Sequence, residues 1–241
     1  MMPSTAPSAK LAAVQDTYKA TVTIVEPTGA ARRAGAAKVL AAVPGAVFIH
    51  PSENPHVIAG QGTVAVELAK QTEEALGDGR CLDVVIIPVG GGGLAGGCAV
   101  ALRGIWGDRV KIVLAEPEAA DDAKRSFEGG VLVGHGEGKK VASVADGLLT
   151  TLGPNTFPII RDLADDVLTV TEREILASTK AVWERMKVMI EPSAGVGVAV
   201  LCSSEFLAKY PPSEFPNVGV VLCGGNVDVA KVSRMLEDEG I

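Results

Sequence analysis

The sequence predicts an α/β protein built on a parallel sheet with helices on both faces. Three observations predict it. Short β-branched and aliphatic runs alternate with longer Ala-rich stretches of helical periodicity. The run Leu82–Val89 (LDVVIIPV) is apolar almost throughout, as strands covered on both faces are. Glycine clusters directly follow two such runs. The 241 residues are 47 % hydrophobic and only 4 % aromatic, with 28 glycines. That mixture suits aliphatic strands packed on small-residue helices and excludes a disordered chain.

From the N-terminus, Ala6–Tyr18 is expected to be helical and Ala20–Val25 (ATVTIV) a short strand. Ala30–Ala42 reads as an Ala-rich helix and Ala46–His50 (AVFIH) as another strand. Pro51–Pro55 (PSENP) breaks the chain and reads as a linker. Gly62–Leu76 has helical spacing, with Glu67, Glu73 and Glu74 among its apolar positions. The buried strand Leu82–Val89 follows, then Gly90–Gly97, a helix to Ile105 and the strand Val110–Ala115. Strand–helix–strand alternation implies parallel strands joined by right-handed crossovers. Asp121–Phe127 opens a helix, and Gly129–Gly138 is a glycine-rich loop. Asn155–Leu163 and Thr171–Met186 are expected to be helical, with the strand Asp166–Val170 between them. Ala194–Leu207 is a small-residue helix. Val218–Leu222 (VGVVL) is a last buried strand, ending at Cys223-Gly224-Gly225-Asn226.

Composition excludes several classes. A net charge of −7 with no long basic run argues against a nucleic-acid partner. No apolar run approaches the roughly 18 residues of a membrane span, and MMPSTAPSAK has no signal-peptide core. Cys81, Cys98, Cys202 and Cys223 show neither CxxC spacing nor a disulfide framework, so they read as reduced cysteines of a cytoplasmic protein. His50, His56 and His135 complete no zinc pattern with them.

The strongest local signal is Val89-Gly90-Gly91-Gly92-Gly93-Leu94, between a buried strand and a helix. Glycines let the backbone turn sharply and bring successive N–H groups close to an anion, and the following helix adds its positive end. A tight strand–helix turn needs one or two glycines; four in a row point to a phosphate cradle. Gly91, Gly93 and Gly96 also fit the dinucleotide fingerprint G-x-G-x-x-G, with Glu116 at the end of the next strand as a ribose-binding acid. Against that reading, a separate αβ unit precedes the motif, and Asp121-Asp122 near Glu116 suit a cation better than a ribose. Cys223-Gly224-Gly225-Asn226 lies at the carboxyl end of another strand, so the two glycine clusters can face one ligand.

In order along the chain, HPSENPHVIAGQGTVAVELAKQ, PVGGGGLAGG, AEPEAADDA, VADGLLT, NTFPIIRDLADDVLTVTEREI, IEPSAGVGVAV and VLCGGNVD resemble the serine racemase and serine/threonine ammonia-lyase family. These are pyridoxal 5′-phosphate (PLP) enzymes of fold type II, the tryptophan synthase β-like fold. The resemblance covers nearly the whole chain. It implies that the cofactor phosphate sits on Gly90, Gly91, Gly92, Gly93 and the Leu94 amide, that Cys223 faces the pyridine nitrogen, and that the Gly147 backbone and the Glu191 carboxylate lie beside the cofactor. It further implies a Mg²⁺ or Mn²⁺ site at Glu116, the Ala120 carbonyl and Asp122, and substrate contacts at Arg32 and Thr150. Tyr18, Lys187 and Asn226 align with residues around a nucleotide effector site. A small amino-acid substrate and a homodimer are implied as well. Residues 1–58 are expected to be the remainder of a small αβ domain, and 59–241 a large PLP-binding domain lacking its N-terminal strands.

The sequence departs from the family in one respect. The family's Schiff-base lysine lies in a Ser-Phe-Lys-like motif, and a Ser-Ser-Gly-Asn-His-like loop holds the substrate carboxylate; neither motif occurs here. No catalytic residue is therefore assigned, and Lys187 is no replacement. The resemblance implies a lyase or isomerase of small β-hydroxy amino acids, forming a 2-oxo acid and ammonia or inverting the α-carbon. The chain is expected to be N-terminally shortened and inactive as such. Alternatives are a non-catalytic subunit-binding paralogue and an NAD-binding oxidoreductase.

Overall fold

A computed structural model describes residues 1–6, 11–136 and 141–241. The first elements are β1 (Met2–Pro3) and β2 (Ile24–Val25), paired in parallel as a two-stranded sheet, followed by the helix α1 (Gly29–Ala42). Thr28 caps α1, its hydroxyl accepting from the Ala31 amide. Then come α2 (Pro55–Gln61), α3 (Thr63–Leu76), β3 (Val84–Pro88), α4 (Gly93–Trp106), β4 (Lys111–Pro117) and α5 (Asp122–Gly129). The chain continues through α6 (Thr156–Leu163), β5 (Asp166–Val170), α7 (Glu172–Ala181), α8 (Pro192–Cys202), α9 (Ser204–Lys209), β6 (Val218–Val220) and α10 (Val229–Asp238).

Four strands form one sheet in the order β5-β4-β3-β6, all parallel. Every residue of β3 is buried, because alternate side chains enter two different cores. Val85 and Ile87 join Ile112, Leu114, Leu102 and Ile160 on the side of α4 and α6. Val84 and Ile86 join Val113, Leu168, Val196 and Val200 on the side of α8. Helices thus cover both faces, as the apolar run predicts.

Close packing of α4 depends on missing side chains. A Cβ on Gly97 would lie 2.1 Å from the Ile58 carbonyl oxygen, and one on Gly62 would lie 2.7 Å from the Gly97 carbonyl oxygen. Backbone meets backbone there, which locks the α2–α3 junction onto α4. Gly96, the third glycine of the dinucleotide fingerprint, would meet Ile159 at an ordinary 3.6 Å.

Several expectations are corrected. Ala46–His50 is not a strand: it has no pairing partner among the described residues, and Val47 is 80 % exposed. Its end is tied instead into a turn, where His50 Nδ1 accepts from the amides of Ser52 and Glu53. Of Ala20–Val25 only Ile24–Val25 pairs. Ala194–Leu207 breaks at Ser203, whose extended backbone and hydroxyl start α9 afresh. Thr171–Met186 is α-helical to Ala181 and then makes a π-helical turn, stopped by Lys187 at φ +60°. Residues 13–17 make another π-helical turn, while residues 7–10 of that expected helix lie outside the described residues. The expected loop Gly129–Gly138 begins with the last residue of α5, and residues 137 and 138 also lie outside them.

Candidate functional site

β3 and β6 are neighbours in the sheet, so the turns at their carboxyl ends open on the same side. One turn is the glycine run, the other carries Cys223. Between them lies a cavity of about 300 Å³, lined by Gly90 to Ala95, Gly147, Leu148, Thr150, Glu191 and Cys223, with Ser52 and Ser193 also on its wall. All eight residues that the resemblance gives to the cofactor therefore meet at one place, and Thr150 joins them.

Each glycine of the run has a steric reason. Gly92 precedes α4 with φ +82°, a left-handed conformation that glycine adopts without strain. A Cβ there would also lie 2.7 Å from Thr156 Cβ. A Cβ on Gly90 would strike Leu148 Cα at 2.9 Å, one on Gly91 would strike Ser52 Oγ at 2.7 Å, and one on Gly93 would lie 3.0 Å from Ser52 Cα. The run is squeezed between the loop at Ser52, the turn at Leu148 and the start of α6. The 14-residue helix α4 adds its N-terminal amides and dipole to a wall that is mostly backbone. An oxyanion such as a phosphate fits this cradle, and any side chain in it would not.

The opposite wall is braced. Ser193, buried at the start of α8, accepts a hydrogen bond from the Gly147 amide at 3.0 Å. The Glu191 amide donates to the Gly224 carbonyl at 3.0 Å, which fixes the second glycine turn against α8. Cys223 reaches solvent at the cavity mouth, yet is enclosed enough that burial, followed by the nearby Glu191 charge, pushes its thiol up to about 11. At neutral pH it is an uncharged thiol.

The acids after β4 form a separate cluster. Glu116 is fully buried, its two oxygens accepting from the Ala123 and Lys124 amides at 2.9 and 3.0 Å. Glu116 is thus turned onto the first turn of α5 and is not displayed to a ribose. Burial is the main cause that raises its carboxyl to about 8, with the Asp122 and Asp121 charges adding to it. Asp122 Oδ2 accepts from the Leu152 amide at 2.9 Å. Its buried Oδ1 has no hydrogen-bond partner and lies 3.4 Å from His135 Nε2. Ala120 is buried in the intervening turn. Two carboxylates and one carbonyl suit a hard divalent cation, and the orphaned Asp122 oxygen fits one. Among the described residues, no three His, Cys, Asp or Glu side chains converge as a ligand set.

Arg32 lies exposed on α1 and does not line the cavity. Neither do Tyr18, which is 75 % exposed, Lys187, whose Nζ donates to the Glu184 carbonyl, or Asn226. Ser52 and Ser193 join the site without any signal in the sequence. A larger groove of about 640 Å³ between α2, α3, α4 and α6 is lined by Ile58, Val66, Val100 and other apolar or neutral residues, and carries no titratable group.

A glycine-rich strand–helix turn at the carboxyl edge of a parallel sheet, facing a second glycine turn across a small cavity, defines an α/β protein built to hold a phosphorylated ligand. The particular kind follows from comparison. Residues 1–224 match the pyridoxal-phosphate dependent enzyme family, and the chain belongs to it. It is 41 % identical to serine racemase of Rattus norvegicus over 239 residues, 99 % of this chain and 68 % of that protein. The crystal structure of serine racemase from Dictyostelium discoideum superposes with a TM-score of 0.80 at 41 % identity, covering 94 % of this chain and 68 % of that one. The maize serine racemase structure superposes at 0.87 with 33 % identity, covering 98 % and 68 %. A threonine deaminase, the processed form of isoform 2 from Solanum lycopersicum, superposes at 0.83 with 28 % identity, covering 100 % and 66 %. The chain thus spans about two thirds of the length of these relatives, and its fold is PLP fold type II.

Proposed function

We propose that this protein binds PLP in the cavity between Gly90–Leu94 and Cys223 and serves the chemistry of small β-hydroxy amino acids such as serine or threonine. That chemistry is elimination to a 2-oxo acid and ammonia, or racemisation at the α-carbon. The observation that carries the reading is the convergence of the glycine run, Gly147, Glu191 and Cys223 on one cavity, together with relatives named serine racemase and threonine deaminase.

Bound there, PLP supplies an electron sink for negative charge at the α-carbon of an amino acid. The chain's own residues do the rest. Gly90 to Gly93 and the Leu94 amide hold the phosphate, with the N-terminus of α4 behind them. The uncharged Cys223 thiol would hydrogen-bond the ring nitrogen of bound PLP without giving it a full positive charge, a setting that would suit β-elimination. The Gly147 backbone and Glu191 flank the ring, and Thr150, which lines the cavity, meets the substrate; Arg32 lies outside the cavity and has no part in it. A divalent cation, Mg²⁺ or Mn²⁺, is held by Glu116, the Ala120 carbonyl and Asp122; the unpartnered Asp122 Oδ1 supports it. We assign residues 1–58 to a small αβ domain and 59–241 to the PLP-binding domain; β1 and β2 fall in the first range and β3 to β6 in the second. The protein is a cytoplasmic homodimer on this reading. Its four cysteines are free, and among the described residues no helix is long and apolar enough to cross a membrane.

A second reading, a non-catalytic partner of full-length subunits, is favoured by one observation: the described residues lining the cavity include no lysine. One experiment addresses both. The purified protein is titrated with PLP, reduced with borohydride and mapped by mass spectrometry, while ammonia, 2-oxo acid and D-serine are measured with L-serine present. Saturable, one-to-one PLP binding is expected, and its absence overturns the proposed site. A single lysine adduct with product formation establishes the enzyme; binding with scattered or absent adducts and no product shows that this polypeptide does not catalyse the reaction by itself, as the second reading requires.

A further inference from the structure

The glycine run is braced from behind by residues that do not line the cavity. Glu53, in the turn before α2, lays its carboxylate across the start of α6. Oε2 accepts from the Asn155 amide at 2.8 Å, Oε1 stands 2.9 Å from the Thr156 hydroxyl, and Asn155 Nδ2 donates to the Glu53 carbonyl at 2.9 Å. Asn155 provides no side-chain cap of its own to α6, so a carboxylate from about a hundred residues upstream caps the helix instead. His50 Nδ1 accepts the Glu53 amide at 3.1 Å and holds that turn in place.

The fully buried Thr156 is the other half of the brace. Its hydroxyl accepts from the Gly153 amide at 3.1 Å, and its single proton is shared between the Gly91 carbonyl oxygen, at 3.0 Å, and Glu53 Oε1. In a planar trans peptide the C=O and the N–H point in opposite directions. Holding the Gly91 carbonyl toward Thr156 therefore turns the Gly92 N–H away from it. The Thr156 side chain also occupies the space that a Cβ on Gly92 would need, which keeps the left-handed turn pressed in place.

We propose that Thr156, supported by Glu53, is a positioning residue that orients the Gly91–Gly92 peptide toward the cofactor's phosphate group. The inference rests on the PLP reading of the cavity and deepens it. Neither residue touches the ligand; each acts through the cradle. The recognised chemistry is the phosphate ester specifically, so loss of the brace penalises ligands that carry it and spares those that do not.

The test compares PLP with pyridoxal, its dephosphorylated form, by titration calorimetry on the full chain. Thr156→Val removes the hydroxyl and keeps the shape. It is expected to weaken PLP about tenfold, the value of one hydrogen bond to a fixed group, and to leave pyridoxal within about twofold. Thr156→Ser should restore PLP binding. Equal losses for both ligands, or none, overturn the proposal. If the wild-type protein binds neither ligand, the PLP reading fails, and amide hydrogen exchange then decides the brace. Faster exchange confined to residues 90–95 in Thr156→Val upholds it; unchanged or global exchange overturns it.

Discussion

Ser193 Oγ accepts a hydrogen bond from the Gly147 amide at 3.0 Å, although 46 residues separate the two. The bond ties the short turn Asp146–Leu148 to the first turn of α8, and so fixes the wall that faces the glycine run. A Cβ on Gly147 would lie 2.9 Å from that same oxygen, so the turn and the helix are in contact as well as bonded.

Ser193→Ala removes the acceptor without adding bulk. Gly147 is open to solvent, so water can take over its amide, and the stability loss should be small, about 1 kcal/mol. The turn itself loses its anchor. Thermal unfolding should therefore shift by only a few degrees, while PLP affinity falls several-fold. An unchanged affinity would remove Gly147 from the site.

How much of this is readable in the sequence depends on distance along the chain. β3, β4, α4 and the glycine run declare themselves locally, because doubly buried strands are apolar throughout and a four-glycine turn has few other uses. Val47, Phe48 and Ile49 look equally strand-like, but a strand exists only where a neighbour pairs with it, and pairing is not a local property. α2 escapes the sequence reading although Asn54 and Pro55 are a common start signal, Asn54 Oδ1 accepting from the His56 amide; the prolines read as a break. α10 escapes it too, despite Asp228 as its cap and Val232 and Leu236 one turn apart. The braces Glu53–Thr156 and Gly147–Ser193 have no local signature, since serine, threonine and glutamate at such positions look like any turn. The fingerprint G-x-G-x-x-G misleads for a related reason: the helix requires Gly97, not Gly96, to let two backbones touch.

The cation proposal gives a thermal signature. A ligand that binds only the folded state at about a hundred times its Kd adds about 2.7 kcal/mol, so Mg²⁺ or Mn²⁺ should raise the unfolding temperature of the wild-type protein. Asp122→Asn keeps the side chain's size and replaces one buried oxygen, and it should abolish that rise. Absence of any response in the wild type, or a full response in Asp122→Asn, would remove the site.

Asp165 provides a pH-dependent prediction away from the cavity. Its carboxylate accepts from Arg103 Nη2 at 2.6 Å, Lys111 Nζ at 2.9 Å and the Ile112 amide at 2.8 Å, and so fastens the start of β5 to α4 and β4. Burial pulls its carboxyl upward, but the Ile112 amide and the two cations together outweigh burial and hold it below the ordinary carboxylate range. A group with a depressed folded pKa contributes stability above its unfolded value, near ~3.9, and loses it as pH falls through the lower folded value. Asp165→Asn should therefore cost about 2 kcal/mol at pH 7, as expected when one partner of a half-buried charge network is removed. The gap between variant and wild type should be constant from about pH 6 upward and close below about pH 4. Urea unfolding at a series of pH values checks this. A gap that persists undiminished to the acid limit would mean that Asp165 acts through shape and hydrogen bonding alone, with no stabilisation from its charge.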